Sequence, residues 1–98
     1  MAKAQDRNLV VTASGLKALL QHPLSKIEHS VLWYLAAKLP PAGDVVSQIQ
    51  MASDLATNPA YMGRAVRKLC SSGLLVRGVR SGLSYHYKLN PLFFRLFI

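Results

Sequence analysis

The sequence predicts a mainly α-helical domain with one small antiparallel β-hairpin, and three observations lead to this prediction. Apolar residues recur at helical spacing in segments between residues 14 and 73, the period becomes extended after Gly73, and glycine or proline marks most of the boundaries. The 98 residues, of which 51% are hydrophobic, suffice for one modest core. We therefore expect a single domain over residues 1–98.

The N-terminal half begins with a β-prone stretch, "LVVT" (Leu9–Thr12), and a helix over Ser14–His22. Ser14 is the candidate N-cap of this helix, and Pro23 ends it. The next helix starts with "SKIE" (Ser25–Glu28), a capping box in which serine and glutamate each satisfy a free backbone N–H. It extends to about Lys38, and we expect it to bury Ile27, Val31, Leu32, Leu35 and either Trp33 or Tyr34.

The middle of the chain predicts a loop, a strand and two helices joined by a turn. "PPAGD" (Pro40–Asp44) predicts the loop, "VVSQIQ" (Val45–Gln50) a short strand, and "MASDLA" (Met51–Ala56) a helix of barely two turns. Asn58 is a good N-cap and Pro59 suits the first position of the following helix. That helix runs to about Ser71 and ends at Gly73, with a buried stripe formed by Met62, Ala65, Val66 and Leu69.

After Gly73 the sequence predicts a hairpin. Its strands are Leu74–Val79 and Leu83–Leu89, and Arg80–Gly82 forms the turn, with Gly82 suited to a positive φ. Two helices joined by a turn and followed by a hairpin are the order of a winged helix-turn-helix domain. In that fold, the helix that begins at Pro59 occupies the DNA-recognition position.

The charge distribution favours a polyanionic partner. Residues 1–54 contain five Lys or Arg and four Asp or Glu, whereas residues 55–98 contain seven Lys or Arg and no acid, which together give the formal net charge of +8. An acid on the exposed face of a recognition helix would repel the phosphates of DNA. The acid-free half therefore predicts a nucleic-acid interface.

Other functional classes receive little support from the composition. Apolar runs fall short of the ~20 residues of a membrane span, and the start lacks a secretory signal, so we expect a cytoplasmic protein without a membrane partner. Cys70 is the single cysteine, and His22, His29 and His86 are far apart. We therefore expect no metal site, no cofactor and no enzymatic activity.

Two segments carry a resemblance to known families. Ile49–Arg77, "IQMASDLATNPAYMGRAVRKLCSSGLLVR", resembles bacterial winged helix-turn-helix DNA-binding proteins, including MarR-like regulators. Gly82–Pro91, "GLSYHYKLNP", together with Leu9–Leu39, is similar to winged helices of plasmid and phage replication initiators. Both resemblances imply double-stranded DNA binding and a dimer. Thr57 and Pro59 depart from the usual turn, in which an aliphatic residue packs between the helices.

The start of the recognition helix predicts base contacts, and its next turn predicts phosphate contacts. Arg64 can pair bidentately with guanine, Ala60 can touch a thymine methyl group, and Gly63 lets the backbone approach closely. Tyr61 either bonds a phosphate or packs against the preceding helix. The predicted DNA-binding residues are Asn58, Ala60, Tyr61, Gly63, Arg64, Arg67 and Lys68 on this helix, and Arg77, Arg80, Ser81 and Lys88 on the wing.

For each wing cation, the alternative is a solvated charge. Tyr85 and Tyr87 share one strand face and are expected in the core.

The C-terminal segment, residues 91–98, serves either dimerisation or closure of the core. Its apolar "LFFRLFI" stretch is costly to expose, so it folds back or meets a second copy. We expect a homodimer through Leu16, Leu20, Phe93, Phe94 and Phe97, which would read a palindromic site.

The sequence therefore predicts a repressor from a plasmid or other mobile element that acts by occupying a promoter. A replication initiator and a winged helix for protein contacts remain the alternatives.

Overall fold

Four helices and five short strands make up the part of the chain that the computed structural model describes, residues 8–82 and 84–97. In chain order they are β1 (Asn8–Val11), α1 (Ala13–Gln21), α2 (Lys26–Lys38), β2 (Asp44–Val45), α3 (Gln48–Asp54), α4 (Pro59–Ser71), β3 (Leu75–Ser81), β4 (Ser84–Leu89) and β5 (Phe94–Phe97). The predicted fold class, mainly α with a hairpin wing, is confirmed. The predicted first residue of the second hairpin strand, Leu83, lies outside the described residues, as do Ile98 and the side chain of Phe97.

Side-chain caps determine where the helices begin. The predicted capping box of α2 is present, because the Glu28 N–H donates to Ser25 Oγ at 3.3 Å and the Ser25 N–H donates to Glu28 Oε1 at 2.9 Å. The predicted N-cap of α1 was wrong, since Thr12, not Ser14, accepts the free N–H of the first turn.

The start of α3 also differs from the sequence prediction. Ser47 Oγ accepts a hydrogen bond from the Gln50 N–H at 3.2 Å and caps a helix that begins at Gln48. The predicted strand Val45–Gln50 is therefore reduced to β2, and the helix expected over Met51–Ala56 starts three residues earlier. Ala56, with φ 52°, provides the left-handed residue of the turn into α4.

The core lies mainly between α2 and α4. The predicted stripe of α4 is fully covered, as are Val31, Leu32 and Leu35 of α2. Ile27 and Tyr34 are only half-buried, and Trp33 remains 38% exposed, so α2 buries a narrower face than expected. The buried α4 residues are Met62, Ala65, Val66 and Leu69.

The wing is a three-stranded antiparallel sheet in the order β2-β4-β3. The hairpin pairs Arg77 with Tyr87 and Arg80 with Tyr85, and the register shifts between these two pairs. This shift is a β-bulge, in which residues 78–79 oppose one residue of β4. Arg80 and Ser81 belong to β3, not to the turn as predicted, and Gly82 has the expected positive φ of 61°.

The C-terminal segment folds back onto its own chain. Strand β5 pairs with β1 from Phe94 opposite Val11 to Phe97 opposite Asn8. Phe94 is 3% exposed and meets Trp33 edge to face, with ring centroids 6.3 Å apart. Its side chain therefore closes the core of one chain, and the prediction of Phe94 as a contact between two copies was wrong. Among the described residues, no helix combines the length and apolarity that crossing a membrane requires.

Candidate nucleic-acid interface

The first turn of α4 presents the predicted base-reading residues on one exposed face. Asn58 caps the helix, because its carboxamide oxygen accepts a hydrogen bond from the Ala60 N–H at 2.8 Å, and Pro59 occupies the first helical position. Ala60 and Arg64 are exposed, and Gly63 is half-buried. The cap uses the oxygen of Asn58 and leaves its NH₂ group as the hydrogen-bond donor for a ligand.

Tyr61 and Arg64 form a pair on this face. Tyr61 is 51% exposed, and the Arg64 guanidinium lies over its ring at 5.2 Å from the centroid. This separation is typical of a cation–π interaction. The Tyr61 ring therefore packs against the Arg64 guanidinium, and about half of the Tyr61 surface remains accessible to a ligand.

The following turns of α4 continue the positive face. Arg67 and Lys68 are exposed, and they follow Arg64 at spacings of three and four residues, which align side chains on one helix face. The buried stripe that contains Met62 and Val66 lies on the other side. One helix thus separates an apolar face for the core from a cationic face for an anion.

A groove of about 490 Å³ lies between α4 and the wing, and we call it the wing groove. Arg67 borders it from α4 and Arg77 from β3, and no acidic side chain lines it. Tyr87, only 4% exposed, contributes to its floor. Burial raises the pKa of Tyr87, and the positive charge of Arg77, which borders the same groove, acts in the opposite direction. The other lining residues are Val46, Ser47, Gln48, Ile49, Gly63, Ser84 and Tyr85.

Arg77 is supported by an aromatic ring in the same way as Arg64. Its guanidinium lies 4.7 Å from the ring centroid of Tyr85, which in turn meets Tyr87 edge to face at 6.4 Å. Tyr87 is a core residue as predicted, whereas Tyr85 is half-buried and faces the wing groove. The hairpin register explains the arrangement, because Arg77 pairs with Tyr87 and so lies on the same sheet face.

The predicted wing residues divide between two faces. Arg80 is exposed near the tip, where its Nε–H donates to the Gly82 carbonyl oxygen at 2.8 Å, and Ser81 is exposed beside it. Lys88 is half-buried and, by strand alternation from Tyr87, lies on the sheet face that points away from the wing groove. The structure therefore brings Arg67 and Arg77 to one groove and separates Lys88 from them.

The acids of the described residues do not line the wing groove, although Asp44 lies in the wing sheet opposite Tyr87. Asp54, the nearest acid to α4 in sequence, is engaged with α2, since it accepts a hydrogen bond from the Tyr34 hydroxyl and lies 3.7 Å from Lys38 Nζ. Asp44 Oδ1 accepts the N–H of Val45 beside the loop. Within residues 8–82 and 84–97, no carboxylate forms an ion pair with a cation of α4 or β3.

Sequence reasoning missed the groove residues outside α4. The sequence predicts a strand at Gln48 and a core position for Tyr85, and it does not predict the contact between Tyr85 and Arg77. The signal that would have found Tyr85 is its position on the same strand face as Tyr87, opposite the basic strand β3. The signal for Gln48 is the Ser-x-x-Gln pattern of Ser47 and Gln50, which is typical of a helix N-terminus, because the Ser47 cap places Gln48 in α3.

Comparison with known proteins supports the fold. No protein-family model matches the sequence, and no curated protein matches it either. A solved structure of a MarR family protein from Bacillus stearothermophilus is similar, with a TM-score of 0.52 and 13% identity over 78% of this chain. The chain spans 50% of that protein. This similarity shows a winged-helix fold, and the resemblance to replication initiators is not confirmed.

Proposed function

We propose that this protein is a sequence-specific, double-stranded DNA-binding transcriptional regulator. The observation that carries the proposal is the continuous cationic face of α4 and the wing. Arg64, Arg67, Lys68, Arg77 and Arg80 are all exposed there, and no acid follows Asp54 in the sequence. Such a face suits the phosphate backbone of a duplex.

In the proposed complex, α4 enters the major groove with its first turn toward the base edges. Arg64 reads guanine through its guanidinium, and the Tyr61 ring limits the conformations of that side chain before DNA arrives. Lys68 contacts phosphate, and Arg80 and Ser81 approach the backbone or the minor groove from the wing tip. Lys88 is outside this proposal, since its sheet face points away from the wing groove.

A homodimer is the proposed binding form. Leu16 and Leu20 of α1 are 54% and 81% exposed, and they lie four residues apart on the same helix face. Phe93, half-buried in the turn before β5, lies next to this region, since its carbonyl oxygen accepts the Thr12 N–H at the start of α1. Two copies would then present two α4 helices to a palindromic site with half-sites about 34 Å apart or a multiple of that distance.

Repression by promoter occupancy is the proposed mode of action. The proposed DNA-binding surface would be sufficient for this mode of action, because occupancy of a promoter requires only binding. A location on a plasmid or other mobile element belongs to the same proposal. Binding to a replication origin is the second candidate, favoured by the similarity of Gly82–Pro91 to initiator winged helices, and a purely protein-binding role is disfavoured by the acid-free cationic face.

The proposal is tested by titrating the protein against its own upstream DNA and against random-sequence duplex at about 150 mM salt, where nonspecific binding is weak. We expect tight binding to the upstream duplex alone. Arg64→Ala should weaken it by about 1–3 kcal/mol, the discrimination that a good bidentate base contact provides.

Arg95→Ala is the matched control, because it removes an equivalent exposed charge from β5. Equal, weak binding to both duplexes would refute an autoregulating repressor. Tight binding only to origin DNA would instead support the initiator.

A further inference from the structure

Two guanidinium groups from different elements border the wing groove. Arg67 reaches it from the middle of α4, and Arg77 reaches it from β3. The same two residues also line a second groove, of about 710 Å³, that continues toward the end of α4 beside Cys70. Both arginines therefore border the same two grooves, where α4 meets the hairpin.

Neither of these arginines has a carboxylate partner among the described residues. The one ion pair found within residues 8–82 and 84–97 joins Lys38 and Asp54, neither of which lines either groove. Two neighbouring cations without an anion repel each other, and an anion between them would remove that repulsion. The arrangement is thus unfavourable for the free protein and favourable for an anionic ligand.

The surroundings of the two arginines fit a phosphodiester. A phosphodiester offers two unesterified oxygens, and a guanidinium binds such oxygens through parallel N–H donors. The ring of Tyr85 holds the Arg77 guanidinium at 4.7 Å from its centroid, and the half-buried side chain of Tyr85 is itself supported by Tyr87. Arg77 therefore loses less conformational freedom on binding than an unsupported arginine would.

We propose that Arg67 and Arg77 bind one and the same backbone phosphate of the DNA, so that recognition helix and wing hold a single strand from two sides. Tyr85 acts as a positioning residue through Arg77. This inference rests on the proposed function, because it needs α4 in the major groove and the adjacent strand passing through the wing groove. In the alternative arrangement, Arg67 and Arg77 would each bind a different phosphate.

The test is a scan in which each phosphate of the bound upstream duplex is replaced in turn by an uncharged methylphosphonate. In the wild type, we expect one position where replacement weakens binding about tenfold, the usual scale of a lost charge-assisted hydrogen bond. At that same position, replacement should have a smaller effect in Arg67→Gln and in Arg77→Gln, each of which keeps one arginine on the phosphate, and little effect in the double variant. The log-log slope of the salt dependence should fall by about 0.9 in the double variant and by less in either single variant, which keeps one arginine on the phosphate, whereas two independent contacts would cost about 0.9 in each single variant.

The outcomes separate this inference from the proposed function. If Arg67→Gln and Arg77→Gln lose sensitivity at two different phosphates, or if their effects add, the shared site is wrong while DNA binding stands. If the wild type binds no duplex, both proposals fail. Arg95→Gln, which removes the same charge from β5, should leave the phosphate profile of the wild type unchanged.

The role of Tyr85 is tested by the same scan. We call the sensitivity of binding to methylphosphonate at the shared position the coupling between Arg77 and the phosphate. Tyr85→Phe keeps the ring and should retain this coupling, whereas Tyr85→Leu should lose most of it. Equal coupling in the two variants would overturn the positioning role. Arg77→Lys provides a further check that leaves Tyr85 and the sheet unchanged. This variant keeps the charge but removes the planar group that stacks on the ring. Wild-type coupling in Arg77→Lys would also overturn the positioning role of Tyr85.

Discussion

The hydroxyl of Tyr34 on α2 donates a hydrogen bond to the carboxylate of Asp54 at the end of α3. The same carboxylate accepts a bond from Gln50 Nε2 at 2.9 Å and lies near Lys38, whose ammonium group also sits 5.0 Å from the Tyr34 ring centroid. These contacts join the helix that precedes the turn to the main core helix. Asp54 therefore helps to hold α3 in the orientation from which α4 departs.

The hydrogen bond from Tyr34 lowers the pKa of Asp54, with further lowering from Gln50 and Lys38. A lowered pKa in the folded state means that the carboxylate stabilises the fold above its ordinary pKa of about 3.9, and that this stabilisation is lost as the pH falls through the folded value. Asp54→Asn should thus lower the melting temperature at pH 7. The difference from wild type should vanish in the acid range.

Thermal melts of the wild type and of Asp54→Asn between pH 7 and pH 2 measure this effect. Tyr34→Phe is the matched variant, because it removes the largest cause of the shift and should raise the pKa of Asp54 in a carboxyl-detected NMR titration. A melting difference that is the same at all pH values would argue against the charge of Asp54 as its source.

Phe94 should be one of the most sensitive positions for stability. Its ring is 3% exposed and packs edge to face on Trp33. Phe94→Ala should cost about 3–5 kcal/mol of unfolding free energy, as large-to-small changes in a core do. Urea denaturation followed by the fluorescence of Trp33, the single tryptophan, measures the loss. Leu92→Ala, at a side chain that is 72% exposed, should leave the free energy of unfolding nearly unchanged. A loss as large as that of Phe94→Ala would contradict burial of the Phe94 ring as the source of the effect.

A substitution at Gly63 should weaken DNA binding without lowering the stability of the fold. An added Cβ would meet only Gln48 Oε1 at 3.4 Å, and alanine is favoured over glycine in a helix by about 0.8–1.0 kcal/mol. Gly63→Ala should therefore leave stability unchanged or raise it, while weakening DNA binding if the backbone approaches a base there. Unfolding curves and duplex titrations of one preparation provide both values.

Gly15→Ala is the contrasting variant for that experiment. A Cβ at Gly15 would lie 2.5 Å from the Phe93 carbonyl oxygen, a backbone atom that cannot move freely. This variant should lower stability through the contact between α1 and the C-terminal turn. If Gly63→Ala lowered stability as much as Gly15→Ala does, the surroundings of Gly63 would be more crowded than its single contact with Gln48 indicates.

Leu20 tests the proposed dimer. Leu20→Glu places a charge in the exposed apolar stripe of α1 and should shift a dimer to monomer in sedimentation velocity, because a buried unpaired charge is costly. Ser14→Glu introduces the same charge at an exposed position in the first turn of α1, on a different helix face from Leu16 and Leu20, and should leave the assembly unchanged. A wild type that sediments as a monomer at all accessible concentrations would refute the dimer.

Several features of this protein were determined by the sequence because they depend on neighbouring residues. The capping box at Ser25, the Asn58 cap followed by Pro59, and the buried stripe of α4 each need partners within four residues. The charge asymmetry is a property of the chain itself and predicts the cationic face without coordinates. Local hydrogen bonds and side-chain periodicity decide such features.

The tertiary structure alone decided the features that require distant residues to meet. Strand β5 pairs with β1 across almost the whole chain, and this pairing sends Phe94 into the core, not to a second copy. The register that pairs Arg77 with Tyr87 brings Arg67 and Arg77 to one groove and places Lys88 on the other face of the sheet. Composition and spacing place these residues on elements, but only the pairing of strands and the packing of α4 against the wing determine which side chains share a face.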